Sequence, residues 1–251
     1  MEKGKQKKKL QPILITTGII VALLALSFFI YASDYYQADD VSVAAMQSGD
    51  GVTVATEHDR TIFQPDGIQP KAGFIFYPGG KVEASAYAPL MKALAQKGYA
   101  CVLVKMPFNL AVFDINAAGR VIDAYPKIEH WLVGGHSLGG SMAAAWCAGN
   151  AGKCQGLVLL GSYSASDLSQ SGLPVLVITG SKDGVLNREK FEASRGNLPA
   201  NSQFLEIAGG NHAQYGDYGA QKDDGIAEIS AATQQAIAAD AMDRFFGQAI
   251  K

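Results

Sequence analysis

A chain of 251 residues, 48% hydrophobic and with 28 Gly against 9 Pro, has the composition of a globular α/β protein, which excludes a disordered or collagen-like one. Its length suits one domain around a single substantial core. Formal net charge is −2, yet five lysines face one glutamate in the first ten residues, so the remainder is mildly acidic. An acidic body offers no basic stripe to a phosphate backbone, and nucleic acid is excluded as a partner.

Residues 1–12 form a basic segment expected in the cytoplasm. From Ile13 to Ala32 the run ILITTGIIVALLALSFFIYA carries no charge. Twenty residues rising 1.5 Å each span about 30 Å, the thickness of a bilayer's hydrocarbon core. Residues 13–32 therefore read as a transmembrane helix. The lysines before it stay inside and send the C-terminal body out of the cytoplasm, giving a single-pass cell-membrane protein. Tyr31, Tyr35 and Tyr36 stand where an interfacial aromatic belt would lie. The rival reading is a cleaved signal peptide and a secreted body. Signal h-regions run about 7–15 residues and end at a small-x-small site. Here the run is longer, and bulky Ile30 spoils the site after Ala32. Residues 33–51 read as a stalk, polar from Asp34 to Met46, and 52–251 as the body.

Val52–Thr56 and Thr61–Phe63 form a β-hairpin around His58-Asp59. Phe74–Tyr77 is a buried strand, followed by Pro78-Gly79-Gly80 and a helix from Tyr87 to Gln96. Ala100–Val104 is the next strand, ending at Met106-Pro107, and Asn116–Tyr125 is helical. Trp131–Gly134 is a strand and Leu138–Ala148 a helix of small residues. Gly156–Leu160 and Pro174–Thr179 are strands, Asn187–Asn197 a helix, Gln203–Ile207 the last strand, and Ile226–Phe246 the closing helix. Short apolar runs alternating with helical stretches predict βαβ units: a mostly parallel sheet with right-handed crossovers and helices on both faces. Ligands of such sheets bind at the carboxyl ends of the strands.

Cys101 lies in an apolar strand and is expected to be a buried small hydrophobe. Cys147 and Cys154 flank a short Gly/Asn loop, at a spacing that permits a disulfide outside the cell without requiring one. No Cys-x-x-Cys or His/Cys cluster suggests a metal, and no cofactor motif is present.

The loops after the strands carry the chemistry. Gly135-His136-Ser137-Leu138-Gly139 is a Gly-x-Ser-x-Gly turn between a strand and a helix. A serine there stands above the sheet on strained backbone, with glycines where a Cβ would collide. A serine hydroxyl needs a base to take its proton, and the partners follow in the order acid, then histidine. His212 is the one histidine after Ser137. Asp167, Asp183, Glu189, Glu192 and Glu206 lie between them, but only Asp183 directly follows a strand. Asp183 would orient His212 and stabilise its imidazolium. An oxyanion needs backbone N–H donors: Leu138 after the nucleophile, and Gly80 or Lys81 after the Phe74–Tyr77 strand. Lys81 and Lys105 either flank the pocket, steering a carboxylate-bearing ester, or are solvated. Tyr215 and Tyr218 either wall the pocket beside His212 or pack against the last helix.

These residues together resemble the α/β-hydrolase superfamily. More narrowly, they are similar to small bacterial α/β-hydrolases that include dienelactone-hydrolase-like proteins. The similar blocks are Phe76–Val82, Lys105-Met106-Pro107 with Asn109-Leu110-Ala111, Gly135–Gly140, Lys182-Asp183-Gly184, and Gly210-Asn211-His212 with Gly216–Gly219. They span about Val52 to Gly247. The resemblance implies an α/β-hydrolase fold and hydrolysis through a covalent intermediate. Dienelactone hydrolases use a cysteine nucleophile, so Ser137 departs from that narrow group. Members with lids insert a helical cap where this chain has only Gly161–Leu173, so no cap domain and an open site are expected. The leading expectation is a serine hydrolase of small carboxylic esters. The alternatives are a membrane-tethered, non-catalytic binding protein on the same fold, and a lipase or peptidase variant.

Overall fold

A computed structural model describes residues 2–251, with side chains from Ile15 onward. The lysine cluster assigned to the cytoplasm lies outside the described side chains. The chain divides into two units, residues 1–35 and 36–251. The first is helix α1 (Glu2–Ser33). Its stretch Ile15–Ser33 has a mean hydropathy of 2.3 and is long and apolar enough to cross a membrane.

The second unit is built on an eight-stranded sheet. Its strands are β1 (Val52–Thr56), β2 (Arg60–Pro65), β3 (Gly73–Tyr77), β4 (Ala100–Val104), β5 (Trp131–His136), β6 (Gly156–Leu160), β7 (Val175–Gly180) and β8 (Gln203–Ile207). They lie in the order β1-β2-β4-β3-β5-β6-β7-β8. The hairpin β1–β2 is antiparallel and joins β4 antiparallel, while every other pairing is parallel. Parallel strands need crossovers, and each apolar run here is followed by one. The helices after α1 are α2 (Asp40–Ala45), α3 (Ala88–Gln96), α4 (Ala117–Ala124), α5 (Leu138–Gly149), α6 (Arg188–Ser194) and α7 (Ala231–Ala249).

Strands β3 to β7 are buried at every position, because helices cover both faces. The two-residue strand period sorts their side chains into two cores. Phe74, Phe76, Leu103, Val158 and Ile178 pack with α3 and α7. Ile75, Val102, Val133, Leu157 and Val177 pack with α4, α5 and α6 on the other face.

Several boundaries differ from the sequence reading. The closing helix starts at Ala231 rather than Ile226, because Ser230 caps it by accepting from the Thr233 N–H. Helix α6 is cut at both ends, by the Asn187 cap and by a tight turn at Arg195–Asn197. The largest difference is in the stalk. From Tyr36 on, residues expected to be free chain are part of the body. The Tyr36 backbone bonds to Lys81 and Glu83, its ring lies 5.6 Å from that of Tyr218, and its hydroxyl accepts from Lys222 N–H. Asp39 caps α2, and the buried Ser42 hydroxyl reaches the Ala86 and Asp217 carbonyls. Tyr36 is therefore not a belt residue. Polar composition concealed the docking because α2 presents one buried serine, with no apolar stripe for the pattern to register.

Candidate active site

The turn between β5 and α5 places Ser137 at φ 52°, a left-handed conformation for a residue with a Cβ. The strain is held from several sides. Ser137 N–H donates to the Leu160 carbonyl at the end of β6, and the Ser162 hydroxyl donates to the Ser137 carbonyl at 2.7 Å. Gly139 makes the turn possible: a Cβ there would run into the Tyr77 and Pro78 carbonyl oxygens. Helix α5 can therefore begin directly against the end of β3.

His212 follows β8 and Asp183 follows β7, both in loops at the same sheet edge as Ser137. Their side chains are sealed from solvent, with His212 Nδ1 2.8 Å from Asp183 Oδ2. The other Asp183 oxygen accepts from the Val185 and Leu186 N–H groups. A carboxylate so fixed holds Nδ1 as the donor and leaves Nε2 as the basic nitrogen. Nε2 has no hydrogen-bond partner among the described residues. Gly161, at φ 49°, passes beside this pair, and a Cβ there would lie 3.0 Å from His212 Nδ1.

Ser137 and His212 line one cavity of about 250 Å³, together with Leu138, Ser141, Tyr163 and Leu186. Its far wall comes from the Gly161–Tyr163 and Val185–Asn187 stretches. The connection from β6 to β7 holds no helix, so it contributes nothing of cap size.

Leu138 opens α5, so its N–H is one of the four without an intrahelical acceptor. Gly80 sits against it, since a Cβ on Gly80 would be 3.4 Å from that of Leu138. The Lys81 N–H is committed to the Asn109 carbonyl at 2.8 Å. Of the two candidates after β3, the Lys81 amide is thus already bonded within the protein.

The remaining candidates are not at the cavity. Lys105 is exposed and lines a separate cleft with Glu57, Arg60 and Glu83. Tyr215 is fully buried, its ring 5.5 Å from that of His136. Tyr218 is buried between Tyr36 and Tyr87, and its hydroxyl donates to Gln221. The tyrosines pack beneath the site.

Two residues beside the site were not singled out from the sequence. His136 lies under His212, ring centroids 4.5 Å apart. Burial, and then the neighbouring His212, push its pKa well below the ordinary histidine value, so it is neutral. Its Nδ1 lies 2.8 Å from the Tyr87 hydroxyl, which also accepts from the Gly79 N–H. This ties the loop after β3 to the serine turn. Asp224 is the second. Its Oδ1 accepts from Gly184, His212 and Gly225 N–H groups, and its Oδ2 accepts from Ala213 N–H at 2.8 Å. One carboxylate thus joins the Asp183 loop to the His212 loop. His136 is legible as the residue before the serine, whereas Asp224 sits in a polar loop that no pattern marks.

The alpha/beta hydrolase family model matches residues 73–236. No curated protein matches the sequence. Among solved structures, an esterase domain from a Rhodothermus marinus protein is 16% identical, with a TM-score of 0.57 over 77% of this chain and 98% of that one. Est1E from Butyrivibrio proteoclasticus is 13% identical, with a TM-score of 0.58 over 80% of this chain and 99% of its own. Dienelactone hydrolase from Anabaena variabilis is 18% identical, with a TM-score of 0.52 over 78% and 96%. At these identities the likeness is one of fold. The family match spans β3 to α7 and includes Ser137, Asp183 and His212, and the chain belongs to the alpha/beta hydrolase family.

Proposed function

We propose that the protein is a serine hydrolase of small carboxylic esters, with Ser137 as nucleophile, His212 as general base and Asp183 as its orienting acid. One observation carries the reading: the sealed 2.8 Å Asp183–His212 pair leaves Nε2 without a partner, and His212 lines the same cavity as Ser137. Ser137 Oγ attacks the ester carbonyl carbon while Nε2 takes its proton. The Leu138 and Gly80 N–H groups receive the charge that builds on the carbonyl oxygen. The intermediate collapses, the C–O bond to the alcohol breaks, and the imidazolium returns the proton to the leaving alkoxide. Water, deprotonated by the same nitrogen, then releases the acid and restores Ser137. Esterases and a dienelactone hydrolase among the structural relatives support the reaction class.

Helix α1 is read as an uncleaved anchor, with the body outside the cytoplasm. The test of the chemistry is Ser137→Ala. It should abolish p-nitrophenyl acetate turnover and fluorophosphonate labelling while thermal unfolding stays intact. Labelling retained in that variant would assign the nucleophile elsewhere. Absence of labelling in the parent protein would favour a binding protein on this fold.

A further inference from the structure

We propose that Cys147 and Cys154 form a disulfide when the chain folds under oxidising conditions. Cys147 lies in the last turn of α5, and Cys154 lies two residues before β6, across the tight turn Ala151–Lys153. Their sulfurs are 2.7 Å apart. That spacing is short even for one thiol donating to the other, and it is less than an ångström longer than an S–S bond of about 2.0 Å. Both side chains are buried in the core that packs α5 against β6. No other cysteine competes: Cys101 is on β4 in the opposite core, and its thiol donates to the Tyr99 carbonyl just before that strand.

Burial, and then the neighbouring Cys154, raise the pKa of the Cys147 thiol well above its ordinary value. Folded Cys147 is therefore a poor source of thiolate, and the bond forms while the segment is still open. One thiolate attacks the disulfide of a small-molecule or protein oxidant, forming a mixed disulfide and releasing one thiol. The second thiolate displaces the other half. Two thiols lose two protons and two electrons, and the oxidant's disulfide leaves as two thiols. The finished bridge staples the C-terminal end of the helix that follows Ser137 to the strand whose Leu160 carbonyl holds the Ser137 amide. This proposal does not depend on the esterase reading.

The test uses the full chain purified in detergent. One sample is equilibrated with oxidised and reduced glutathione, the other with excess dithiothreitol, and both are denatured in N-ethylmaleimide. Intact mass should show one adduct in the oxidised sample and three in the reduced one. Trypsin cuts after Lys153, so the oxidised digest should hold peptides 128–153 and 154–182 as one linked species. The oxidised protein should melt about 5–10 °C above the reduced one, as expected for closing so short a loop. Three adducts in the oxidised sample, glutathione attached to either cysteine, or linkage to Cys101 would overturn the proposal.

Discussion

Four backbone N–H groups converge on the carboxylate of Asp224, two of them from the His212 segment and one from the residue after Asp183. Such bonds to a charged acceptor are stronger than neutral ones, and here they span two loops that share no strand pairing of their own. Asp224 is therefore a positioning residue, acting through the Asp183–His212 pair. Asp224→Ala should lower kcat/KM by up to about 10²-fold with little change in KM, since small misplacement of reacting groups has costs of that order. Asp224→Asn, which keeps the shape and one acceptor oxygen, should retain more kcat than Asp224→Ala. A loss that falls on KM and leaves kcat intact in both variants would reduce Asp224 to a loop staple.

Among the elements, the segment from Tyr36 to α2 has an importance its composition does not announce. It holds the loop after β3 through Lys81 and Glu83, and stacks on the tyrosines beneath His136. A chain beginning at Gln47 should unfold about 5–10 °C below one beginning at Ser33, through lost aromatic packing and buried hydrogen bonds. Equal melting temperatures would mean the segment only rests on the body. The connection from β6 to β7 bears on substrate. It lacks a helix, and the cavity of about 250 Å³ is small beside ordinary ligand pockets. An acyl chain gains about 0.8 kcal/mol per CH₂ only where a wall buries it. Acetyl to butyryl esters should be turned over better than those of ten carbons or more. The exposed Phe108, Val112 and Phe113 do not line that cavity. A steady rise in kcat/KM toward twelve carbons would enlist them as an acyl-binding surface and favour a lipase.

For the whole molecule, the anchor reading proposed above makes a topology prediction. Lysines before an apolar span of bilayer length would orient an inserted chain with its body outside. The protein should sediment with membranes, and protease added to intact protoplasts should digest the body. A soluble form in the medium with its N-terminus at Ser33 would mean the span is a signal peptide.

The alternation of apolar runs with helical stretches was enough for the parallel sheet, because a strand covered on both faces must be apolar throughout. The Gly-x-Ser-x-Gly turn was legible because its backbone geometry tolerates so few residue types. Chain order led from Ser137 to Asp183 and His212, each just after a strand, and strand ends in a parallel sheet share one edge. Tertiary structure decided the rest. Lys105 and Lys81 look equivalent in sequence, yet one side chain lies in another cleft and the other residue's amide is spent on Asn109. Tyr215 and Tyr218 follow His212 closely, but whether a ring walls a cavity or packs beneath it depends on the turn between them. Asp224 and Ser42 gain their roles from backbone groups brought near from distant segments. Backbone donors and acceptors are the same at every position, so no side-chain pattern records which of them will meet.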